Sequence, residues 1–207
     1  MSHSMTHSTN HGSESLQSAA VSHAHDRVHE DVERIVVPSA AIAARVRALA
    51  ISIGEDFAHA DGRLTVVPVM TGSLLFAADL VRALPQRRMR IQLATVASYG
   101  GTATATQGSS IVGTLPKHLE DHHVLIVDDI LDSGGTLRLL RAEFESRGAR
   151  SVRACVLLRK RIPSALATPA EYVGFDIDDE FVVGYGLDYD DLYRNLPYVG
   201  ALRREAR

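Results

Sequence analysis

VLIVDDILDSGGT, Val124 to Thr136, is the stretch on which the reading of this 207-residue chain turns. Four apolar residues form a strand of the kind buried on both faces, and they run directly into two acids, Asp128 and Asp129. Two aliphatic residues later come Asp132, Ser133, Gly134, Gly135 and Thr136. A helical spacing follows, with Leu137, Leu140 and Phe144, and it ends at Gly148. Strand, small-residue loop and helix N-terminus together make an anion site. Glycines let backbone N–H groups approach closely, hydroxyls add donors, and the helix dipole favours negative charge. In an open parallel sheet such a site lies beyond the carboxyl ends of the strands.

The acids do not suit a bare phosphate, because carboxylates would repel it. They suit ribose hydroxyls or magnesium. A ligand with a phosphate at one end, a ribose, and metal-bound phosphates at the other satisfies every group in the stretch. The common nucleotide loops are absent, since neither GxxxxGK[ST] nor GxGxxG occurs. An ordinary strand-to-helix turn needs only a glycine for the corner and one capping side chain. Three acids and four small residues in the nine positions 128–136 exceed that requirement.

Outward from this centre the chain alternates helix and strand. Ile42, Val46, Leu49 and Ile53 predict a helix over 40–54, with Ser39 as its N-cap and Gly54 closing it. Leu64 to Met70 reads as a buried strand, and Ser73 precedes a helix that stops before Pro85. Arg90 to Val96 alternates as a strand. Residues 100–110, GGTATATQGSS, have no large apolar group and read as an exposed, mobile connection. Val152 to Leu158 is another buried strand, and 172–177 and 181–187 are further strand candidates. This order predicts an α/β fold: a twisted, mainly parallel sheet flanked by helices.

Composition narrows the function. The chain has 22 basic and 25 acidic residues, a formal charge of −3, which gives no field to recruit nucleic acid or an anionic membrane. Aromatic residues are 5% of the chain and Trp is absent, which argues against a base-stacking platform. No apolar run approaches the ~20 residues of a membrane span, and the first residues lack the apolar stretch of a signal peptide. A lone cysteine, Cys155, excludes an internal disulfide framework and fits a reducing compartment. The expectation is a cytoplasmic protein that handles a small ligand.

Residues 1–27 differ from the rest, with seven serines, five histidines and only seven apolar positions. They read as a disordered tail ahead of one domain over 28–207. The histidines His3, His7, His11, His23 and His25 match no structural zinc spacing, which leaves weak, adventitious metal binding as the alternative.

DDILDSGGT after an apolar strand resembles the phosphoribosyl-pyrophosphate signature of type I phosphoribosyltransferases. VMTGSLLFAADL (69–80), ASYGG (97–101), LLRKRIP (157–163), YVGFDI (172–177) and FVVGYGLDYDDLYRNLPYVG (181–200) narrow the resemblance to the hypoxanthine-guanine phosphoribosyltransferase family. The motifs occur in the family's order over roughly residues 30–200. The resemblance implies a small hood built from N- and C-terminal segments and a homo-oligomer, dimer or tetramer. It also implies a purine-salvage reaction: phosphoribosyl transfer from phosphoribosyl pyrophosphate to hypoxanthine or guanine, giving IMP or GMP and pyrophosphate.

Site roles follow from the resemblance, residue by residue. Asp128 and Asp129 hold the ribose hydroxyls and help the Mg2+ shell indirectly, while Asp132, Ser133, Gly134, Gly135 and Thr136 cradle the 5′-phosphate. Asp132 is also the proton-handling acid, facing the purine nitrogen that becomes bonded to ribose. Lys160 donates to the exocyclic oxygen of the purine, which selects oxo- over amino-purines; Arg159 and Arg161 beside it read as structural charges. Phe181 stacks on the base and the backbone of Val182 reads its edge. Asp188 is a magnesium ligand at the purine side, with Asp190 and Asp191 solvated beside it. Thr71, Gly72, Ser98, Tyr99 and Arg194 form the pyrophosphate side, and Ser98 and Tyr99 open the segment that acts as a lid.

One departure stands out. Thr71 occupies a position where many relatives carry lysine, so that loop must rely on the backbone N–H groups of Thr71, Gly72 and Ser73. The family often has a cis peptide here, which falls at Met70–Thr71. Three other readings fit the residues less well. A regulator that binds phosphoribosyl pyrophosphate without catalysis lacks a nucleic-acid surface and has no reason to keep Lys160, Asp188 and Arg194. A phospho-accepting receiver domain would need VLIVDD to be its first strand, and the residues after Asp129 are too few for the rest. A transferase for another base, such as xanthine or a pyrimidine, stays within the enzyme class.

Overall fold

The computed structural model describes residues 28–60, 63–86, 88–98, 109–112, 115–117 and 119–207. The elements run β1 (Val32–Val37), α1 (Ser39–Asp56), β2 (Leu64–Met70), α2 (Leu74–Ala83), β3 (Met89–Ile91), β4 (Ala94–Ser98) and β5 (Ser109–Val112). They continue with β6 (His123–Leu131), α3 (Gly135–Ser146), β7 (Ser151–Lys160), α4 (Pro163–Leu166), β8 (Tyr172–Ile177), β9 (Val182–Val183) and β10 (Val199–Leu202). The main sheet has the order β5-β4-β2-β6-β7-β8, with β3 alongside β2, and only β5 is antiparallel.

Strand periodicity explains the two layers. Leu64, Val66, Leu125, Val127, Cys155 and Leu157 point to the face covered by α1 and α2. The alternate residues Val67, Val69, Val124, Ile126, Ala154 and Val156 point to the face covered by α3. Helix α1 buries Ile42, Val46, Leu49 and Ile53, and α3 buries Leu137, Leu140 and Phe144, each pair of neighbours one helical turn apart. Burying each such side chain contributes about 1.5–3 kcal/mol. A second sheet joins β1, β10 and β9 in antiparallel pairs, with Val32, Val183, Tyr198 and Leu202 as its core. It brings residues near the start of the domain onto the segment that follows Phe181.

Several expectations are corrected. Ser39 is already helical and Pro38 is the N-cap residue, with no side-chain cap bond. Helix α1 passes through Gly54, because that glycine serves packing: a Cβ there would stand 2.4 Å from Pro85 Cγ. The strand expected over 90–96 is two pieces, β3 and β4, both beside β2, with Gln92 N bonding Val66 O between them. Of 181–187 only Val182–Val183 is strand, since Gly184, Tyr185 and Gly186 have φ of +97°, +50° and +104°. The connection expected over 100–110 ends before Ser109, where β5 starts and pairs with β4. Residues 100–108 and the tail 1–27 lie outside the described residues. Strands β1 and β10 and the short α4 carried no periodic signal strong enough to predict.

Candidate active site

Strand β6 carries Asp128 and Asp129 to the carboxyl end of the sheet, near its middle. Asp128 is 6% exposed, and burial together with the neighbouring Asp129 charge pushes its carboxyl well above the usual range. Burial raises Asp129 as well, against a backbone hydrogen bond from Ile130 N to its Oδ1 at 2.8 Å and the positive charge of Arg194. A buried and a half-buried carboxylate side by side are poised for a cation or for hydroxyl donors.

The loop beyond them turns at Gly134, whose φ of +79° makes it the N-cap of α3. A Cβ there would meet Thr168 Oγ1 at 2.1 Å, so the corner needs glycine on both counts. Arg138 braces the turn, donating to Ser133 O at 3.1 Å and Thr168 Oγ1 at 2.9 Å. Ser133, Gly135 and Thr136 thus surround the first turn of α3, where backbone N–H groups have no intrahelical acceptor.

Strand register brings in the next pair. Leu131 on β6 faces Arg159 on β7, so Asp132 and Lys160, each one residue further, meet with Lys160 Nζ 3.1 Å from Asp132 Oδ2. The lysine stem is mostly buried, with 14% of its side chain exposed against 54% for Asp132. Lys160 also donates to Asp179 Oδ1 at 2.9 Å. Burial works against the ammonium, but these two carboxylates outweigh it and hold the lysine above its ordinary value. Arg159 forks onto Asp176 at 2.7 and 3.1 Å, and Arg161 pairs with Asp178 at 2.8 Å, so both flanking arginines have structural partners.

The turn after β2 closes another side. Met70–Thr71 is a cis peptide, and Thr71 is exposed. Gly72 lies directly on Asp129: a Cβ there would be 1.8 Å from Asp129 Oδ2. Gly186 in turn lies on Gly72, and its Cβ would be 2.0 Å from the Gly72 carbonyl oxygen. Ser73 is the N-cap residue of α2 but makes no side-chain cap bond; its hydroxyl donates to Val69 O at 2.7 Å.

Asp188 and Arg194 stand on the segment that begins at Gly184. Arg194 Nη1 is 2.8 Å from Asp188 Oδ1 and 2.8 Å from Gly186 O, and Nη2 donates to Asp191 Oδ1 at 2.8 Å. Asp191 is 91% exposed, as a solvated acid should be, yet it shares this arginine. Its N–H also donates to Asp188 Oδ2 at 2.9 Å. Phe181 is 37% exposed, with Tyr189 edge-on at 5.6 Å and the Arg207 guanidinium 5.1 Å from its ring. Val182 is buried on β9 beside Ala201.

Asp128, Asp129, the 132–136 loop, Lys160, Gly72, Asp188 and Arg194 are therefore linked by direct contacts, along β6, or through Gly186. Ser98 ends β4, and Tyr99 lies outside the described residues. Sequence reasoning missed Asp179, which carries no local signal and reaches Lys160 only through the register of β7 on β8. It also missed Tyr185, hidden in the run FVVGYGLDY as one more strand residue.

An open parallel sheet with acids and a small-residue anion loop at one strand's carboxyl end defines an α/β protein with a site suited to a phosphorylated sugar. The phosphoribosyl transferase domain family matches residues 35–190. Hypoxanthine-guanine phosphoribosyltransferase of Mycobacterium bovis is 39% identical over 178 residues, covering 83% of this chain and 87% of that protein. Hypoxanthine phosphoribosyltransferase of Salmonella typhimurium is 39% identical over 166 residues, covering 80% of this chain and 93% of that protein. The Trypanosoma cruzi hypoxanthine phosphoribosyltransferase structure with the product IMP superposes with a TM-score of 0.78 at 35% identity, covering 87% of this chain and all of that one. The chain belongs to the phosphoribosyl transferase domain family, in its hypoxanthine-guanine phosphoribosyltransferase branch.

Proposed function

We propose that this enzyme transfers the 5-phosphoribosyl group of phosphoribosyl pyrophosphate to a 6-oxopurine, hypoxanthine or guanine, releasing pyrophosphate and serving purine salvage. The observation that carries the reading is the Asp132–Lys160 pair at 3.1 Å, set at the mouth of the α3 anion loop that follows the strand carrying the buried Asp128 and half-buried Asp129. The loop Asp132–Thr136 holds the 5′-phosphate through backbone and hydroxyl donors, and Asp128 and Asp129 accept from the ribose hydroxyls. Lys160 donates to the purine's exocyclic oxygen, where the amino group of adenine would oppose one donor with another. As the bond from ribose to pyrophosphate breaks and the purine nitrogen bonds to the same carbon, Asp132 takes the proton from that nitrogen. Phe181 stacks on the base, Val182 reads its edge through the backbone, and the small sheet of β1, β10 and β9 serves as the hood over it.

Arg194 and the backbone of Thr71 and Gly72 receive the departing pyrophosphate, the Ser73 N–H being bonded to Val69 O at 3.3 Å instead, with Ser98 and Tyr99 opening the lid that keeps water out. The donor set fits Mg2+, which takes one or two carboxylates and completes its shell with substrate phosphates and water. Asp188 would hold it, with Asp128 and Asp129 acting indirectly. When bound, the metal offsets the negative charge that builds on the pyrophosphate. Exposed Leu74 and Leu75 at the start of α2 support a homo-oligomer. Among the described residues no helix is long and apolar enough to cross a membrane, and the buried free Cys155 supports cytoplasmic residence.

The test is a spectrophotometric assay with phosphoribosyl pyrophosphate and magnesium, run separately with hypoxanthine, guanine, xanthine, adenine and uracil. Turnover of 6-oxopurines, none of adenine, and loss of activity on chelation are expected. Binding of phosphoribosyl pyrophosphate without turnover of any base would overturn the reading.

A further inference from the structure

The segment with Thr71 and Gly72 and the segment with Arg194, which carry the groups assigned to pyrophosphate, come from distant parts of the chain, and one buried hydroxyl ties them together. The Thr71–Ser73 turn leads into α2, with Leu74 N on Thr71 O at 3.1 Å and Ala77 N on Ser73 O at 2.7 Å. Two turns into that helix stands Asp79, which accepts from the Tyr185 hydroxyl at 2.6 Å. Tyr185 is 8% exposed and lies between two glycines of positive φ. Its N–H donates to Leu196 O at 2.8 Å, and the next residue, Gly186, donates to Arg194 O at 2.9 Å while accepting from the Arg194 guanidinium. Tyr185 thus holds the Asp188–Arg194 segment through its backbone and holds α2 through its side chain. Between these two attachments Gly186 presses on the Gly72 carbonyl with no room for a Cβ.

We propose that Tyr185 is a positioning residue: its hydrogen bond to Asp79 sets the distance between the Thr71–Gly72 turn and the Asp188–Arg194 segment. This rests on the reading of Thr71, Gly72 and Arg194 as the pyrophosphate side. The position matters more here than in a chain with lysine at 71. Thr71 supplies no positive charge, so the turn acts through fixed backbone N–H groups, whose contribution falls steeply with misplacement. Tyr185 touches neither Lys160 nor Phe181 in any polar or ring contact, so purine binding is not its business.

The experiment is steady-state kinetics and thermal unfolding of wild type, Tyr185→Phe, Asp79→Ala, the double variant, and Arg82→Ala. The last removes only the exposed ion pair that Asp79 also makes, and such pairs contribute little. Tyr185→Phe and Asp79→Ala should each raise the KM for phosphoribosyl pyrophosphate about five- to tenfold, less than the full factor for one hydrogen bond to a charged group because only part of the loss reaches the substrate. The purine KM should move less than twofold, Arg82→Ala should match wild type, and the double variant should be no worse than either single one. Unchanged KM with a lowered unfolding temperature would make Tyr185 a packing residue only, as would equal losses for both substrates or additive effects. Asp79→Ala keeps the test valid if Tyr185→Phe fails to fold. Wild type without turnover would overturn the functional reading and this inference together, whereas active wild type with unaltered variants would overturn this inference alone.

Discussion

Gly72→Ala puts the contact between the Thr71–Gly72 turn and Asp129 to a quantitative test. A Cβ on Gly72 stands 1.8 Å from Asp129 Oδ2, and contacts under 3.0 Å force a shift, so the carboxylate must retreat by about 1.2 Å. Its other oxygen accepts from Ile130 N at 2.8 Å, a bond that such a retreat breaks. Overpacking of this kind costs about 1–3 kcal/mol, and for a domain of this size each kcal/mol lowers the unfolding temperature by roughly 2–4 °C. A misplacement near 1 Å at a substrate-holding group costs about a hundredfold in rate. The variant should therefore lose about two orders of magnitude in kcat/KM for phosphoribosyl pyrophosphate and unfold several degrees earlier. Gly148→Ala is the control: its φ is +78°, but a Cβ there meets nothing nearer than 3.7 Å, far from the site. It should lose about 1 kcal/mol of stability from the left-handed backbone alone and keep wild-type kinetics. Steady-state kinetics and calorimetry on both proteins decide the matter. Wild-type kcat/KM in Gly72→Ala would falsify the packing of that turn on Asp129.

Asp132→Asn removes the group assigned to the proton and should lower kcat about 10²–10⁴-fold while binding of phosphoribosyl pyrophosphate stays within a few-fold; full turnover would take Asp132 out of the chemistry. Lys160→Ala should raise the KM for hypoxanthine at least tenfold and leave that for phosphoribosyl pyrophosphate nearly unchanged, and an unmoved purine KM would sink the assignment. Asp128→Asn should raise the unfolding temperature at pH 7 while activity falls. The reason is that a carboxyl whose folded pKa is raised costs stability when ionised at neutral pH, and that cost fades as pH falls through the folded pKa. Lower thermal stability in that variant would contradict the burial argument. His122 and His123 are held below the usual imidazole value of 6.5, first by burial and then by nearby arginines, Arg90 and Arg63 for His122 and Arg150 first for His123. The unfolded chain therefore takes up more protons once pH drops below that value, and denaturant midpoints should fall from pH 7 to pH 5. Replacing both histidines with glutamine should flatten that slope; an unaltered slope would assign it to other groups.

The parts legible in the sequence are those whose cause is local. An apolar run buried on both faces, then acids, glycines and a helical repeat, specify β6, its loop and α3 wherever they fall in the chain, because each signal acts within a few residues. The fragments that failed do so for equally physical reasons. Gly54 reads as a helix stop until Pro85 is found against it, and 181–187 reads as a strand until Gly184 and Gly186 meet backbone oxygens of Tyr198 and Gly72. Strands β1 and β10 are short and take their stability from each other across most of the chain, so neither announces itself alone.

The sequence alone named the candidate groups: which acids, which anion loop, which lysine, and their order along the chain. Their assembly into one site was decided only by tertiary structure. Asp132 meets Lys160 because β6 and β7 pair in one register, and Asp179 joins them through β8. Gly72 lies on Asp129, and Gly186 on Gly72, because a missing Cβ lets segments far apart in sequence approach closer than any side chain allows. Register and close approach are long-range properties, and no local pattern of residues encodes either one.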